Sequence, residues 1–152
     1  MNPEQPADAI IPETILIVDD NPEVLRTVVA IVERAGFKVL SARCGEDAIT
    51  LARETPGEIH LLLSDVDMPL MSGPELGDLL KATRPKIHVM FMSGGGVDGN
   101  LLVLNYGWAF IEKPFLVNKL VRMITEVLRT PDRSQPGGRE FDSRADKGKN
   151  SY

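Results

Sequence analysis

Several side chains of this 152-residue chain invite chemistry: the adjacent carboxylates Asp19 and Asp20, Asp65 with Asp67 two positions on, the hydroxyl of Ser93 and the amine of Lys113. Gathered carboxylates repel one another, and burial raises their pKa unless a cation sits among them. Hard carboxylate oxygens with room for water suit Mg²⁺, which takes one or two carboxylates and keeps waters for an incoming phosphate. Asp20 and Asp65 are the expected side-chain ligands, with Asp19 reaching the metal directly or through water. No Cys or His cluster competes for a softer metal. A cation, an isolated carboxylate nucleophile, a lysine and a hydroxyl form a phosphoryl-transfer set, because that chemistry needs positioning and charge neutralisation more than proton transfer. Asp65 is expected to attack phosphorus and form an aspartyl phosphate, with Lys113 and Mg²⁺ balancing charge and Ser93 donating to a phosphoryl oxygen.

These residues share one property of position. Each follows a short apolar or β-branched run: Thr14 to Val18 before Asp19-Asp20, Ile59 to Leu63 before Asp65, Ile87 to Met92 before Ser93, and Trp108 to Ile111 before Lys113. Runs this short, bounded by turn residues, read as buried strands. Phe37 to Leu40 is a further strand. Between them lie helical patterns. Asn21-Pro22-Glu23 supplies an N-cap, a proline at the first helical position and an acid in the first turn. Leu25, Val28, Val29 and Val32 then share one face up to Gly36. Gly45 to Glu54 carries Ala48, Leu51 and Ala52. The segment opened by Gly73-Pro74 puts Leu76, Leu79 and Leu80 inward and stops before Pro85. A short helix is expected at Val97 to Tyr106, after Gly94-Gly95-Gly96. Phe115 to Arg129 is amphipathic, with Leu116, Leu120, Ile124, Val127 and Leu128 on one face.

Five strands alternating with five helices imply an α/β fold, a parallel sheet with helices on both faces. In such sheets ligands bind beyond the carboxyl ends of the strands, where Asp19, Asp20, Asp65, Asp67, Ser93 and Lys113 are all expected.

Composition narrows the alternatives. The chain is 43% hydrophobic and 26% charged, ordinary for a soluble domain, and its length suits a single core. The run Gly99 to Ile111, free of Asp, Glu, Lys and Arg, is too short for a membrane span, which needs roughly 20 apolar residues. Met1 to Glu13 has neither the basic start nor the apolar centre of a secretory signal. The single cysteine, Cys44, allows no internal disulfide and is read as a small buried filler, so a reducing, cytoplasmic setting is expected. The formal charge is −5; the segment from Pro131 holds five Lys/Arg and four Asp/Glu, leaving −6 for the remainder and no basic patch for nucleic acid. Residues 1–12 are expected to form a flexible leader and residues 131–152, rich in Pro, Gly, Ser and mixed charge, a disordered tail. Nothing after Arg129 reads as a folded output domain.

The motifs together resemble the response-regulator receiver domain of two-component signalling. The acidic pair Asp19-Asp20, Asp65 in DVDMPLMSG, Ser93 in MFMSG and Lys113 in EKPF occur in that family's order, and the resemblance covers about residues 13–130. It implies a CheY-like, flavodoxin-like doubly wound sheet of strand order 2-1-3-4-5, and a phosphoacceptor domain that modifies only itself and is no enzyme in the usual sense. Asp65 is then phosphorylated in a Mg²⁺-dependent reaction by a histidine kinase or phosphotransfer protein, and acts on a downstream protein without contacting nucleic acid or membrane. The resemblance further implies that Asp67 offers its backbone carbonyl to the metal and that the Lys113-Pro114 bond is cis. Phe110, three residues before Lys113, matches the family's aromatic switch position. Movement of Ser93 towards the phosphoryl group would carry it to the surface formed by the fourth helix, fifth strand and fifth helix. Three glycines after the hydroxyl depart from the usual pattern.

Taken singly, the features have plainer readings: Asp19, Asp20 and Asn21 as helix caps, Lys113 as a solvated lysine, Ser93 as a turn residue, Phe110 as core. His60 and His88, inside apolar runs, read as core or flank residues. The rival function is a haloacid-dehalogenase-like phosphohydrolase with Asp65 as nucleophile and Asp67 as general acid. In that family, however, the nucleophile follows the first strand, whereas here Asp19-Asp20 comes first.

Overall fold

The computed structural model describes residues 11–94 and 107–131. Strand β1 (Thr14–Val18) leads into α1 (Pro22–Arg34), β2 (Lys38–Ala42), α2 (Gly45–Glu54), β3 (Leu61–Asp65), α3 (Gly73–Thr83), β4 (His88–Ser93), β5 (Ala109–Glu112) and α4 (Val117–Arg129). The strands form one parallel sheet in the order β2-β1-β3-β4-β5, the expected topology. Four helices lie among the described residues; the helix expected at 97–106, the leader through residue 10 and the tail from residue 132 fall outside them.

Alternation along the strands divides the core in two. Ile15, Ile17, Leu61 and Leu63 face one side, where Leu25, Val28 and Val32 of α1 and Leu120 and Ile124 of α4 cover them. Leu16, Val18 and Leu62 face the other, under Ala48 and Ala52 of α2 and Leu76 and Leu80 of α3. Successive strand side chains point to opposite faces, so a central parallel strand must be apolar throughout, and β1 is buried at every position. The helix starts follow local chemistry. The Asn21 side chain accepts hydrogen bonds from the N–H groups of Glu23 and Val24, and Pro22 stands at the first helical position. At α3 the spacing Ser72-x-x-Glu75 forms a reciprocal capping box: Ser72 Oγ accepts from Glu75 N–H and Glu75 Oε1 from Ser72 N–H.

Three expectations about packing need correction. Leu79 does not point inward but is 48% exposed; the inner face of α3 includes Gly77 instead, which lies so close to the Trp108 ring that a Cβ would stand 3.0 Å from it. Leu116 precedes the last helix and is 75% exposed. Cys44 is half-buried and caps α2, its Sγ accepting from Asp47 N–H at 3.4 Å. The rotation of α3 about its axis decides the first, and chain direction at a helix start the other two.

The strand order reverses between β1 and β3: the chain leaves β1 for β2 on one side and returns to β3 on the other. The two crossovers part at this point and leave a crevice at the carboxyl edge, flanked by Asp19 after β1 and by Asp65 at the end of β3.

Candidate functional site

Asp65 is the last residue of β3, one register step inside the loop expected to hold it, and it is paired with Met92 of β4. Asp19 follows β1 directly and is fully buried. A buried carboxylate must be paired, and Asp19 spends both oxygens: Oδ1 accepts from the Asn21 N–H at 2.9 Å and Oδ2 from Lys113 Nζ at 2.9 Å. Lys113 also reaches Asp65 Oδ1 at 3.3 Å, so a single ammonium bridges the ends of two strands. That oxygen of Asp65 takes a second donor, the Val66 N–H at 3.1 Å.

Asp20 lies beside them at the exposed rim, and one carboxylate oxygen from each of Asp19, Asp20 and Asp65 falls within a sphere of mutual distances no greater than 4.8 Å. Three carboxylates against one ammonium leave the cluster short of positive charge. The imbalance shows in the acid–base behaviour. Burial pushes the Asp65 carboxyl above its ordinary value of 3.8; Lys113 opposes this, while the charges of Asp19 and Asp20 add to it. Burial would lower Lys113, but its hydrogen bond to Asp19 and the charges of Asp19 and Asp65 prevail and hold it above 10.5, so it stays cationic. An all-oxygen, net-negative, half-open cluster fits a hard divalent cation, and the raised Asp65 marks the charge such an ion would neutralise.

The other expected residues sit around this centre. Ser93 ends β4 on the strand next to Asp65, is 2% exposed, and accepts the Lys113 N–H at its backbone carbonyl. The Lys113-Pro114 peptide is cis. Asp67 lies exposed in the turn after β3. Phe110 is half-buried on β5, in register with Phe91, and packs on the α2/α3 side of the core. Phe91 in turn meets Trp108 with ring centroids 5.5 Å apart and planes tilted by 52°.

Two residues of the site region carry roles that a reading of residue types did not assign. Ser64, fully buried, donates its hydroxyl to the Asp65 carbonyl at 2.8 Å. Gly73 lies so near that a Cβ there would run into the Asp65 carbonyl oxygen and stand 3.0 Å from the Phe91 ring. The only sequence signal for Ser64 is a lone hydroxyl closing a run of leucines; for Gly73 there is none beyond its use at a helix start.

The sequence model of a family described as "Response regulator receiver domain" matches residues 15–125. Among curated proteins, the chain is 33% identical over 121 residues to the sensor kinase CckA of Brucella abortus, covering 78% of this chain and 13% of that protein. It is 34% identical over 116 residues to the transcriptional regulatory protein CpxR of Escherichia coli, covering 76% and 49% respectively. The chain thus spans half or less of the length of these two relatives. A crystal structure of a CheY-like receiver domain protein from Methanospirillum hungatei superposes with a TM-score of 0.68 at 31% identity, covering 78% of this chain and 94% of that one. None of these relatives is a phosphohydrolase, so the rival reading gains no support from them.

Proposed function

This chain belongs to the response regulator receiver domain family, and from that premise we propose that it is the phosphoacceptor of a two-component or phosphorelay system, with Asp65 as the residue modified. The observation that carries the reading is the meeting of Asp19, Asp20, Asp65 and Lys113 at the carboxyl edge of the sheet, with a single lysine hydrogen-bonded to two of the acids. The donor is a phosphohistidine on a partner histidine kinase or phosphotransfer protein, or a small acyl phosphate. A free Asp65 oxygen attacks phosphorus; with phosphohistidine the P–N bond breaks and its electron pair stays with the imidazole nitrogen, which takes a proton, with an acyl phosphate the P–O bond breaks and the carboxylate leaves, and in either case an aspartyl phosphate remains. Asp19, Asp20, Asp65 and the Asp67 carbonyl would hold Mg²⁺, which would supply positive charge against the phosphoryl oxygens. Lys113 stays protonated beside the acceptor and contributes a second positive charge. Ser93 donates to the phosphoryl group and Phe110 turns inward behind it, so that the surface around β5 and α4 changes. The domain acts on itself without multiple turnover, in a cytoplasmic setting, and passes its signal to a protein target rather than to nucleic acid. Among the described residues no helix is long and apolar enough to cross a membrane.

Intact-mass analysis after incubation with acetyl phosphate and Mg²⁺ tests this. One added phosphoryl group is expected, lost in Asp65→Ala and lost without Mg²⁺. Equal labelling of Asp65→Ala overturns the assignment. Sustained hydrolysis of chromogenic phosphate esters that vanishes in Asp67→Asn would reinstate the phosphohydrolase.

A further inference from the structure

We propose that Ser64 is a positioning residue for phosphoryl transfer, holding the Asp65–Val66 peptide so that one oxygen of Asp65 is tied down and the other is presented to phosphorus; this rests on the phosphoacceptor reading of Asp65. The peptide is gripped at both ends. Its carbonyl accepts the Ser64 hydroxyl at 2.8 Å and is backed by Gly73, where no Cβ can be fitted. Its N–H is shared between the Met92 carbonyl at 3.0 Å and Asp65 Oδ1 at 3.1 Å. One bond further on, the Val66 carbonyl accepts the Gly73 N–H at 2.8 Å.

This grip governs the carboxylate. Oδ1 receives both the Val66 N–H and the Lys113 ammonium, whereas neither donor reaches Oδ2. Turning the carboxylate to exchange its oxygens breaks both bonds at once, so the free lone pairs stay on one oxygen facing the crevice. If the Asp65–Val66 plane tilts, the Val66 N–H leaves Oδ1 and only Lys113 holds the group. Among the described residues Ser64 is the one side chain that donates to that plane's carbonyl, and it does so from the α2/α3 side of the sheet, away from the acid cluster.

The test compares wild type, Ser64→Ala and Ser64→Thr, the last of which keeps a hydroxyl, by the rate of Mg²⁺-dependent phosphorylation over a range of acetyl phosphate concentrations. Small misplacements of a reacting group lower rates by up to about 100-fold, so Ser64→Ala is expected to lose about tenfold in maximal rate. Half-saturation should stay within about twofold and Ser64→Thr should recover most of the rate, since uniform binding is unchanged. A wild-type maximal rate in Ser64→Ala, or a loss confined to half-saturation, overturns the proposal. Amide NMR of the metal-free proteins supplies a second reading, independent of whether the buried threonine methyl is tolerated. The Val66 amide proton, deshielded by its carboxylate partner, should move upfield in Ser64→Ala; an unmoved resonance overturns the proposal. Wild type that accepts no phosphoryl group would instead sink the functional reading, and leave the NMR comparison to judge the peptide grip alone.

Discussion

The two edges of this sheet use polar side chains in opposite ways. At the carboxyl edge Asp19 and Asp65 share one lysine with Asp20 beside them, and Asp65 sits above its ordinary pKa because burial and the neighbouring acids penalise its charge. At the amino edge the polar side chains meet backbone groups. His60 Nδ1 accepts the Thr14 N–H at 2.9 Å, and the His88 ring spans the His60 carbonyl at 3.3 Å and the Thr130 carbonyl at 2.9 Å. Arg84 donates to the carbonyls of Ala52, Thr55 and Gly57, closing the end of α2 against the end of α3. One edge is left electrostatically incomplete and the other is completed. Buried polar groups stabilise only when all their partners are present, so the first edge is available for a ligand and the second for holding the fold.

Substitutions should separate the two. The largest effect on stability is expected from Arg84→Ala, which strands three carbonyls and should cost about 2–3 kcal/mol in urea denaturation, while phosphorylation by acetyl phosphate proceeds at the wild-type rate under folding conditions. A variant that loses the rate without losing stability would break the division. Next comes Mg²⁺: at tenfold above its dissociation constant it should stabilise wild type by about 1.4 kcal/mol and leave an Asp20→Asn/Asp65→Asn double variant unmoved. Equal stabilisation of both would place the ion elsewhere. His88→Ala should cost about 1 kcal/mol, again without change in phosphorylation.

The smallest effect has the opposite sign. Because the folded-state pKa of Asp65 is raised above 3.8, its ionisation is a penalty carried by the fold at pH values above that raised pKa, and absent below 3.8, where the carboxyl is protonated in both states. Asp65→Asn, which resembles the protonated acid, should therefore melt a few degrees higher than wild type in metal-free neutral buffer. Its advantage should shrink as pH falls towards 3.8. A lower melting temperature for Asp65→Asn would mean that Lys113 more than compensates the buried charge.

The carboxyl edge was largely legible in the sequence because its residues are polar types stationed at the ends of apolar runs, a pattern that survives without coordinates. Asp19, Asp20, Asp65 and Lys113 meet as their positions in the topology require. Less legible was whatever depends on shape. Leu79 has the spacing to face inward, yet the buried face of α3 runs through Gly73, Leu76, Gly77 and Leu80, with Trp108 against Gly77, and leaves Leu79 48% exposed. Cys44 reads as an apolar filler until its place at the start of α2 turns the sulfur into an acceptor. The Ser72–Glu75 box was present as a spacing and went unused, whereas the contact between Ser64 and the Asp65 carbonyl joins neighbours in sequence whose geometry no periodicity encodes. The segment at 97–106 lies outside the described residues.

Trp108 has an optical consequence. It is the chain's only tryptophan, 5% exposed, and it lies against Phe91 two positions before Ser93 on the same strand. Excitation at the red edge of the protein's absorbance therefore reports from one indole in one apolar environment. Its emission should be blue-shifted in the native protein and move to longer wavelength on unfolding. A change in quantum yield on adding beryllofluoride and Mg²⁺ would be a label-free, single-site signal from the core beside Phe91.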